Sequence, residues 1–211
     1  MASAGLKAPD GRQSRTARSR LAICEACLDL VQEGVLQPSA DAVAERAGLS
    51  RRSIFNHFTD LAELYDAVVE VGMRRYAPLL EEISERLPVA ERVDRLVDVR
   101  ATFLEATAAF TRALTAQAWV GPAADPARRV TRRAQRLRQR EIERLFEGEL
   151  RGRPAHERAE VLEAVSAALS PLQWEYLRRS RGVSIARARA LMKRTLNALL
   201  RDAGVDLGST H

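Results

Sequence analysis

Apolar residues recur at helical spacing in separate runs along the N-terminal part of the chain. The first run covers residues 14–34 and predicts an amphipathic helix. Two shorter runs follow, one after Ser39 and one after Ser50, and serine is a favoured N-cap because its hydroxyl accepts a hydrogen bond from an amide of the first turn. Gly48 lies between them, where glycine adopts the left-handed conformation that ends a helix. The pattern therefore predicts two short helices joined by a tight turn and braced by the first helix.

The second short helix has two apolar anchors, Ile54 and Phe58, on its inner face. Several polar side chains are left largely on the outside: Arg51, Arg52, Ser53, Asn56 and His57. A helix with such side chains fits the major groove of B-DNA, where they hydrogen-bond base edges and phosphates. Residues 38–64 therefore predict a helix-turn-helix.

Residues 48–58, with the sequence GLSRRSIFNHF, resemble the recognition-helix signature of the TetR (tetracycline-repressor-like) family of transcriptional regulators. Residues 44–47 and Leu64 fit the same pattern, and the resemblance covers the segment 20–71. It implies an all-α fold, with an N-terminal three-helix helix-turn-helix DNA-binding domain and a C-terminal helical ligand-binding and dimerisation domain. It also implies double-stranded DNA as the partner, bound at a palindromic operator.

Two positions depart from the family's pattern. The family often carries a lysine that contacts a DNA phosphate at the start of the fourth helix, and this chain has Leu61 there. Arg51 or the basic N-terminal arm is expected to compensate for that contact. The aromatic pair common in the recognition helix is Phe55-Asn56 here, which suggests a different base preference.

The resemblance and the side-chain chemistry together assign roles within the helix-turn-helix. We expect Arg52, Ser53 and Asn56 to read bases, because arginine favours guanine and asparagine favours adenine edges. The phosphate backbone is the expected contact of Ser39, Arg51, Phe55 and His57. His57 is alternatively a buried structural group at the helix end. The full set of DNA-binding candidates is Ser39, Ser50, Arg51, Arg52, Ser53, Phe55, Asn56 and His57.

After residue 60 the apolar pattern predicts further helices, separated by proline and glycine breaks, and no convincing strand. Pro78 is expected to bend or end the helix that Asp60 caps, and Pro171 to kink or restart the helix that begins at His156. The predicted organisation is a disordered basic arm over 1–14, the helix-turn-helix domain over 15–60, a helical regulatory and dimerisation domain over 61–204, and a flexible tail over 205–211.

The last two predicted helices, at about 156–203, are rich in alanine and more apolar than a surface hairpin needs. Paired with the same helices of a second copy, they would form an isologous four-helix bundle. The alternative is that they pack only on their own subunit. The TetR resemblance implies a homodimer at this place, in which two recognition helices read the half-sites of a palindrome.

The resemblance also implies a small-molecule cavity among the middle helices, whose ligand releases the protein from its operator and so relieves repression. With few aromatic residues and scattered charge, a mostly apolar ligand is expected. Each candidate lining residue has the alternative role of a plain core residue. The candidates are Phe103, Thr107, Phe110, Trp119 and Trp174.

The 34 basic residues outnumber the 28 acidic ones, which gives a net charge of +6. This balance is compatible with a nucleic-acid partner, but only Lys7 and Lys193 are lysines, so part of the bias reflects the arginine usage of a GC-rich genome. No apolar run is long enough for a membrane span, and the first twenty residues lack the apolar stretch of a secretory signal. We expect a cytoplasmic, bacterial protein with no membrane partner.

Basic residues form two clusters outside the helix-turn-helix. The N-terminal cluster either lies along DNA phosphates, enters a minor groove or is simply solvated, and it consists of Arg12, Arg15, Arg18 and Arg20. The arginine run over 128–144 is predicted to be a solvated helix face, partly paired by Glu141 and Glu143, rather than a second nucleic-acid surface.

Cys24 and Cys27 are the only cysteines, and their C-x-x-C spacing raises the question of a metal or redox site. No second cysteine pair or nearby histidine completes a zinc set, so we expect two reduced core residues and no metal. The sequence also has no phosphate loop and no hydrolase or metalloprotease motif. We expect no cofactor and no enzyme; the alternatives are a DNA-binding protein without a ligand response, or an enzyme with an unrecognised site.

Overall fold

The computed structural model describes residues 11–120 and 124–208, and in this range the regular structure is helical, without a strand. The all-α fold class predicted from the sequence is therefore confirmed for the described residues. The α-helices are α1 Gly11–Gln32, α2 Ala40–Ala47, α3 Arg51–His57, α4 Leu61–Tyr76, α5 Val89–Val120, α6 Ala124–Leu150, α7 Ala155–Ala168, α8 Pro171–Glu175 and α9 Ile185–Asp202.

The helix ends predicted in the helix-turn-helix are confirmed. The hydroxyl of Ser39 accepts a hydrogen bond from the amide of Ala42 at 3.2 Å, and that of Ser50 accepts one from the amide of Ser53 at 3.1 Å. Gly48 ends α2 with φ +67°, in the left-handed region where a side chain would be strained. Local residue types therefore fix the turn between α2 and α3.

The proline breaks also lie where the sequence predicts them. Pro78 belongs to a 3₁₀ turn, Ala77–Leu79, that follows the end of α4. Pro171 begins α8, and the hydroxyl of Ser170 accepts a hydrogen bond from the amide of Gln173 at 3.3 Å. After α8 the chain continues as a π-helical turn, Tyr176–Ser180, which the sequence did not predict.

The chain divides into two compact units, Met1–Arg74 with Arg112–Ala127 and Arg75–Thr111 with Arg128–His211. The division falls within α4, α5 and α6 rather than at residue 60, where the domain boundary was expected. The first part of α4 belongs to the first unit because its inner face is buried there, and the hydroxyl of Tyr65 donates to the carbonyl of Pro38 at 2.7 Å. None of the described helices has the length and apolar character required to cross a membrane.

Each unit has its own apolar core. In the first unit, buried residues come from all four helices of the N-terminal segment, namely Ile23, Cys27, Leu28, Val43, Ile54, Phe58 and Leu64. In the second unit, the core joins α5, α6, α7, α8 and α9, with Leu96, Ile142, Leu145, Phe146, Leu150, Val165, Trp174 and Leu196 among its members.

Two predicted boundaries need correction. Residues 205–208 of the expected flexible tail are ordered against the second core, where Val205 and Leu207 are buried. The amide of Val205 donates to the carbonyl of Leu200 at 2.9 Å, so the chain folds back over the end of α9, as apolar residues after a helix end often do. At the other end, α1 begins at Gly11, inside the predicted arm. Residues 1–10 and 209–211 lie outside the described residues.

The two cysteines lie on the buried face of α1, one turn apart, and neither forms a disulfide. Burial raises the pKa of Cys24 to about 11 and that of Cys27 to about 12. The thiolate is the nucleophile and the metal ligand, so both groups are chemically inert at neutral pH. Among the described residues, no three side chains of the metal-binding types cluster together.

We expect both thiols to resist iodoacetamide at pH 8 in the folded protein, because their raised pKa values keep them protonated and their burial excludes the reagent. Mass spectrometry should find both modified once urea has unfolded the chain. Rapid modification of the folded protein at either position would contradict the assignment of Cys24 and Cys27 to the core.

Candidate nucleic-acid interface

Helix α3 is held in the first unit by the two anchors that the sequence identified. Ile54 and Phe58 are each 1% exposed. Because a helix turns about 100° per residue, their burial directs the side chains at intervening positions outwards. Arg51, Arg52, Phe55 and Asn56 are exposed, and Ser53 and His57 are partly buried.

Arg52 and Asn56 are the two candidates whose polar groups are available. They lie one turn apart on α3, both exposed, and neither makes a hydrogen bond or ion pair within the described part of the chain. The guanidinium and the amide of a pair at this spacing reach neighbouring base edges when a helix enters the major groove. Their chemistry and exposure agree with the predicted role in base reading.

Arg51 already has a partner, since its guanidinium lies 3.0 Å from a carboxylate oxygen of Asp41 on α2. It also lies 5.8 Å from the centre of the Phe55 ring. Both charged side chains are well exposed, and exposed ion pairs contribute little stability. Arg51 can therefore give up its ion pair with Asp41 and bind a DNA phosphate at little cost in free energy, which is compatible with its predicted contact with the DNA backbone.

The three serines among the candidates are engaged at helix N-termini. Ser39 and Ser50 are the N-caps of α2 and α3. The hydroxyl of Ser53 lies 2.9 Å from that of Ser50, so a base contact by Ser53 would compete with this hydrogen bond. Ser39 and Ser50 orient the two helices, whatever further contact they make.

His57 is partly buried, whereas its predicted contact with the DNA backbone requires an exposed ring. Its Nδ1 is buried and has no hydrogen-bond partner among the described residues. Its backbone carbonyl, at the end of α3, accepts a hydrogen bond from Arg20. These observations favour the alternative role of His57 as a structural group.

Arg20 of α1 connects the end of α3 to the start of α4, a role that the sequence did not indicate. One guanidinium nitrogen donates to the carbonyl of His57, and another donates to Oε1 of Glu63 at 3.0 Å. The guanidinium also lies over the Phe58 ring, 4.1 Å from its centre. Arg20 therefore holds α3 within the first unit, and its guanidinium is engaged there rather than free.

The first turn of α4 satisfies its own backbone donors. The other oxygen of Glu63 accepts hydrogen bonds from the amide of Thr59 at 2.7 Å and from its hydroxyl at 3.0 Å. Asp60 in turn accepts one from the amide of Glu63 at 2.8 Å. The arrangement resembles a capping box, except that Glu63 reaches the amide of Thr59 rather than that of the cap residue Asp60. The hydrogen bond from the amide of Thr59, then that from Arg20 and that from the hydroxyl of Thr59, lower the pKa of Glu63. The D-x-x-E spacing was the sequence signal for this cap.

This cap bears on the missing lysine at Leu61. The first turn of α4 presents the carboxylates of Asp60 and Glu63, and the position of the family's lysine is apolar. Two carboxylates repel a phosphate, so the first turn of α4 offers it no attractive side chain.

The five ligand-lining candidates do not share one environment. Thr107 is buried, and its hydroxyl donates to the carbonyl of Phe103, which packs against the second core. Phe110 is buried with its ring 5.8 Å from that of Tyr76, and the indole of fully buried Trp174 donates to Glu105 at 2.9 Å. These four residues belong to the second unit and are fixed by contacts within it.

Trp119 needs correction as a lining residue. Its side chain is 80% exposed, near the C-terminal end of α5, and it belongs to the first unit. A side chain that open cannot line an enclosed cavity of this chain. Its apolar character indicated burial, but Trp119 comes nine residues after Phe110, which is about half a turn around the helix. It therefore lies on the face opposite to Phe110, Ala113 and Gln117, which are buried.

Arg20→Gln should loosen α3, because it removes the ion pair with Glu63 and the contact with the Phe58 ring. We expect the unfolding free energy of the helix-turn-helix to fall by about 1–2 kcal/mol. Hydrogen exchange should accelerate at the amides of residues 51–57. The matched control is Arg46→Gln, which breaks an exposed ion pair with Glu33 in the same unit and should leave α3 protected. Equal loss of protection in both variants would contradict the role of Arg20.

Comparison with known proteins places the fold. No family model and no curated protein matches the chain. Two solved structures are similar to it, each at 18% sequence identity. A TetR-family transcriptional regulator from Streptomyces coelicolor has a TM-score of 0.71 and aligns over 90% of this chain and 84% of its own. A proposed TetR-family transcriptional regulator from Rhodococcus sp. has a TM-score of 0.60, over 87% and 99%. The chain has the all-helical fold of TetR-family regulators.

Proposed function

We propose that this protein is a sequence-specific DNA-binding transcriptional regulator of the TetR type. The observation that carries the proposal is the setting of α3, a capped helix whose anchors Ile54 and Phe58 are buried in the first unit. Its side chains Arg52 and Asn56 are exposed and have no partner within the described residues. The likeness of the fold to TetR-family regulators supports it independently. A helix in this setting enters the major groove and reads bases there.

One α3 is too small to select an operator alone. With seven residues it spans only about 10 Å, enough for a few base pairs. Two copies related by a two-fold axis double the contacts and read a palindrome in successive major grooves. The proposed active form is therefore a homodimer.

The surface proposed to pair with a second copy centres on α8 and the π-helical turn after it. Leu172 is 75% exposed and Tyr176 is 53% exposed, and the two lie one helical turn apart. Ala167 on α7 is exposed as well, and small residues allow helices to approach closely. A face of large apolar and small residues is self-complementary across a two-fold axis, whereas on a monomer it exposes apolar surface to water.

The regulator is proposed to act as a repressor in the bacterial cytoplasm that leaves its operator when a small molecule binds. The ligand binds the conformation that cannot bind DNA more tightly than it binds the DNA-binding conformation. It therefore shifts the population of the protein towards the conformation that is released from the operator. The coupling is reciprocal, so operator DNA must weaken the ligand's affinity by the same factor.

Substitutions on α3 should separate base reading from backbone contact. Arg52→Ala and Asn56→Ala should each reduce discrimination between operator and scrambled DNA by about 1–3 kcal/mol. Arg51→Ala should weaken all sequences alike and lower the salt slope of binding by about one. Fluorescence anisotropy at several salt concentrations, with an operator selected from random duplexes, measures both effects. A uniform loss across sequences for all three variants would contradict these assignments.

Charge introduced into the proposed dimer surface should separate the subunits. Leu172→Asp together with Tyr176→Asp is expected to give folded monomers in sedimentation experiments, because a dimer would bury two carboxylates per subunit. Affinity for the palindrome should fall by about a hundredfold, while affinity for a half-site stays the same. The matched control Trp119→Asp, at another exposed apolar residue, should leave the oligomeric state unchanged. A charged variant that remains dimeric would exclude this surface.

A further inference from the structure

The arginine run on α6 was expected to be a solvated face, and two of its members depart from that expectation. Arg144 lies 3.3 Å from Glu85 and donates to the carbonyl of Ile83 at 2.9 Å. Arg138 is also partly buried, but its hydrogen bond is only to the hydroxyl of Ser166 on α7, at 3.3 Å. Arg138 thus makes no ion pair within the described part of the chain.

Arg100 of α5 lies in the same region as Arg138. It is 6% exposed, and one guanidinium nitrogen donates to Glu141, three residues after Arg138 on α6. Its Nε is buried without a hydrogen-bond partner among the described residues. Glu141 is the carboxylate that both arginines share: it forms an ion pair with Arg100 and interacts electrostatically with Arg138.

The other inward-facing arginines of the second unit each have a carboxylate of their own. Arg92 pairs with Glu149, and Arg178 pairs with both oxygens of Glu105. The cluster of Arg100, Arg138 and Glu141 instead holds two guanidinium groups and one carboxylate, a net charge of +1.

The surroundings make this charge excess costly. Burial, as the largest cause, lowers the pKa of Arg100 and that of Arg138, and the charge of Arg100 lowers the pKa of Arg138 further. Arginine nevertheless remains protonated in proteins, so the cluster cannot relieve its charge by losing a proton. A partly desolvated cation without a counter-ion is unfavourable, and one added negative charge would neutralise the cluster.

We propose that Arg100 and Arg138, with the hydroxyl of Ser166 beside them, bind the carboxylate of a small anionic ligand. A carboxylate supplies the single negative charge that the cluster lacks, and its two oxygens match the planar fork of a guanidinium. A phosphate dianion would leave an excess negative charge. Arg138 and Ser166 are only partly buried, so solvent reaches the cluster.

This site rests on the proposed ligand response and assigns its ligand a chemical class. The sequence indicated a mostly apolar ligand. The cluster adds an acidic head group to that expectation, so the ligand would be an amphipathic carboxylic acid rather than a neutral apolar compound.

Calorimetry with the DNA-free protein at low salt tests the site. The probes are acetate, benzoate, hexanoate and decanoate, with hexanamide and decanamide as neutral counterparts and inorganic phosphate as a second anion. At least one carboxylate should bind, and its amide should bind about tenfold more weakly or worse, because it loses the charge-assisted hydrogen bonds. Binding of no carboxylate, or equal binding of acid and amide, would overturn the proposal, as would a preference for phosphate.

Three variants on α6 give changes of different sign. Arg138→Gln should weaken the carboxylate by about tenfold. Glu141→Gln should strengthen it, because Arg100 then lacks its carboxylate partner. Arg133→Gln, at an exposed arginine of the same helix, should change nothing. Circular dichroism checks that each variant is folded. A loss at Arg133→Gln equal to that at Arg138→Gln would reduce the effect to general charge and refute the site. Weaker binding by Glu141→Gln would contradict the competition between Glu141 and the ligand for Arg100, and would refute the site as well.

A separate DNA titration distinguishes this proposal from the proposed function. If carboxylate binding changes in the three variants as predicted but carboxylate leaves operator affinity unchanged, the binding site is supported and the proposed ligand response is contradicted. Absent carboxylate binding in a protein that still selects an operator would refute the site and leave the DNA-binding function standing.

Discussion

The docking of α3 onto the rest of the first unit is the constraint on which the proposed DNA-reading surface depends. A seven-residue helix is too short to be stable in water, since isolated helices below about 12–15 residues are marginal. Burial of Ile54 and Phe58 supplies the apolar contact, Ser50 caps one end, and Arg20 holds the carbonyl at the other. All of these groups lie on the inner face or at the ends of α3. The outer face therefore has no structural task at Arg52 or Asn56, which leaves it available for the proposed base recognition.

The second unit uses a different balance of forces, because its helices enclose arginines among apolar side chains. A desolvated guanidinium is tolerated when its charge is compensated, and Glu149 does this for buried Arg92 and Glu105 for partly buried Arg178. Where compensation is incomplete, as at Arg138, the unbalanced charge is more informative than the ion pairs, because it sets the charge of the ligand proposed above. The completed pairs account for stability and say little about function.

The sequence predicted those features that depend on neighbouring residues. The helix-turn-helix, the glycine turn at Gly48 and the restart at Pro171 all follow from caps and helical spacing within a few positions. The contacts that it missed join residues far apart in the chain, such as Arg20 with Glu63 and Arg100 with Glu141.

The failures at single residues have two causes. Trp119 was chosen for its apolar character, although helical spacing places it about half a turn around α5 from Phe110, on the exposed face. Val205 and the π-helical turn over 176–180 depend instead on what the rest of the fold places beside them. Local patterns determine which helices form, whereas burial of a given side chain is decided by tertiary packing.

The basic residues behind the net charge of +6 are not concentrated in the helix-turn-helix. If electrostatic attraction to phosphates dominated binding, basic residues would be expected throughout the DNA-reading elements. Instead α3 offers Arg51 and Arg52, and the start of α4 is acidic at Asp60 and Glu63. Many of the remaining arginines lie on α6 in the second unit or serve internal ion pairs. Most of the positive charge therefore lies outside the helix-turn-helix. For the proposed DNA-binding function, this distribution favours selectivity from base contacts, duplicated by the proposed second subunit, over general attraction to DNA.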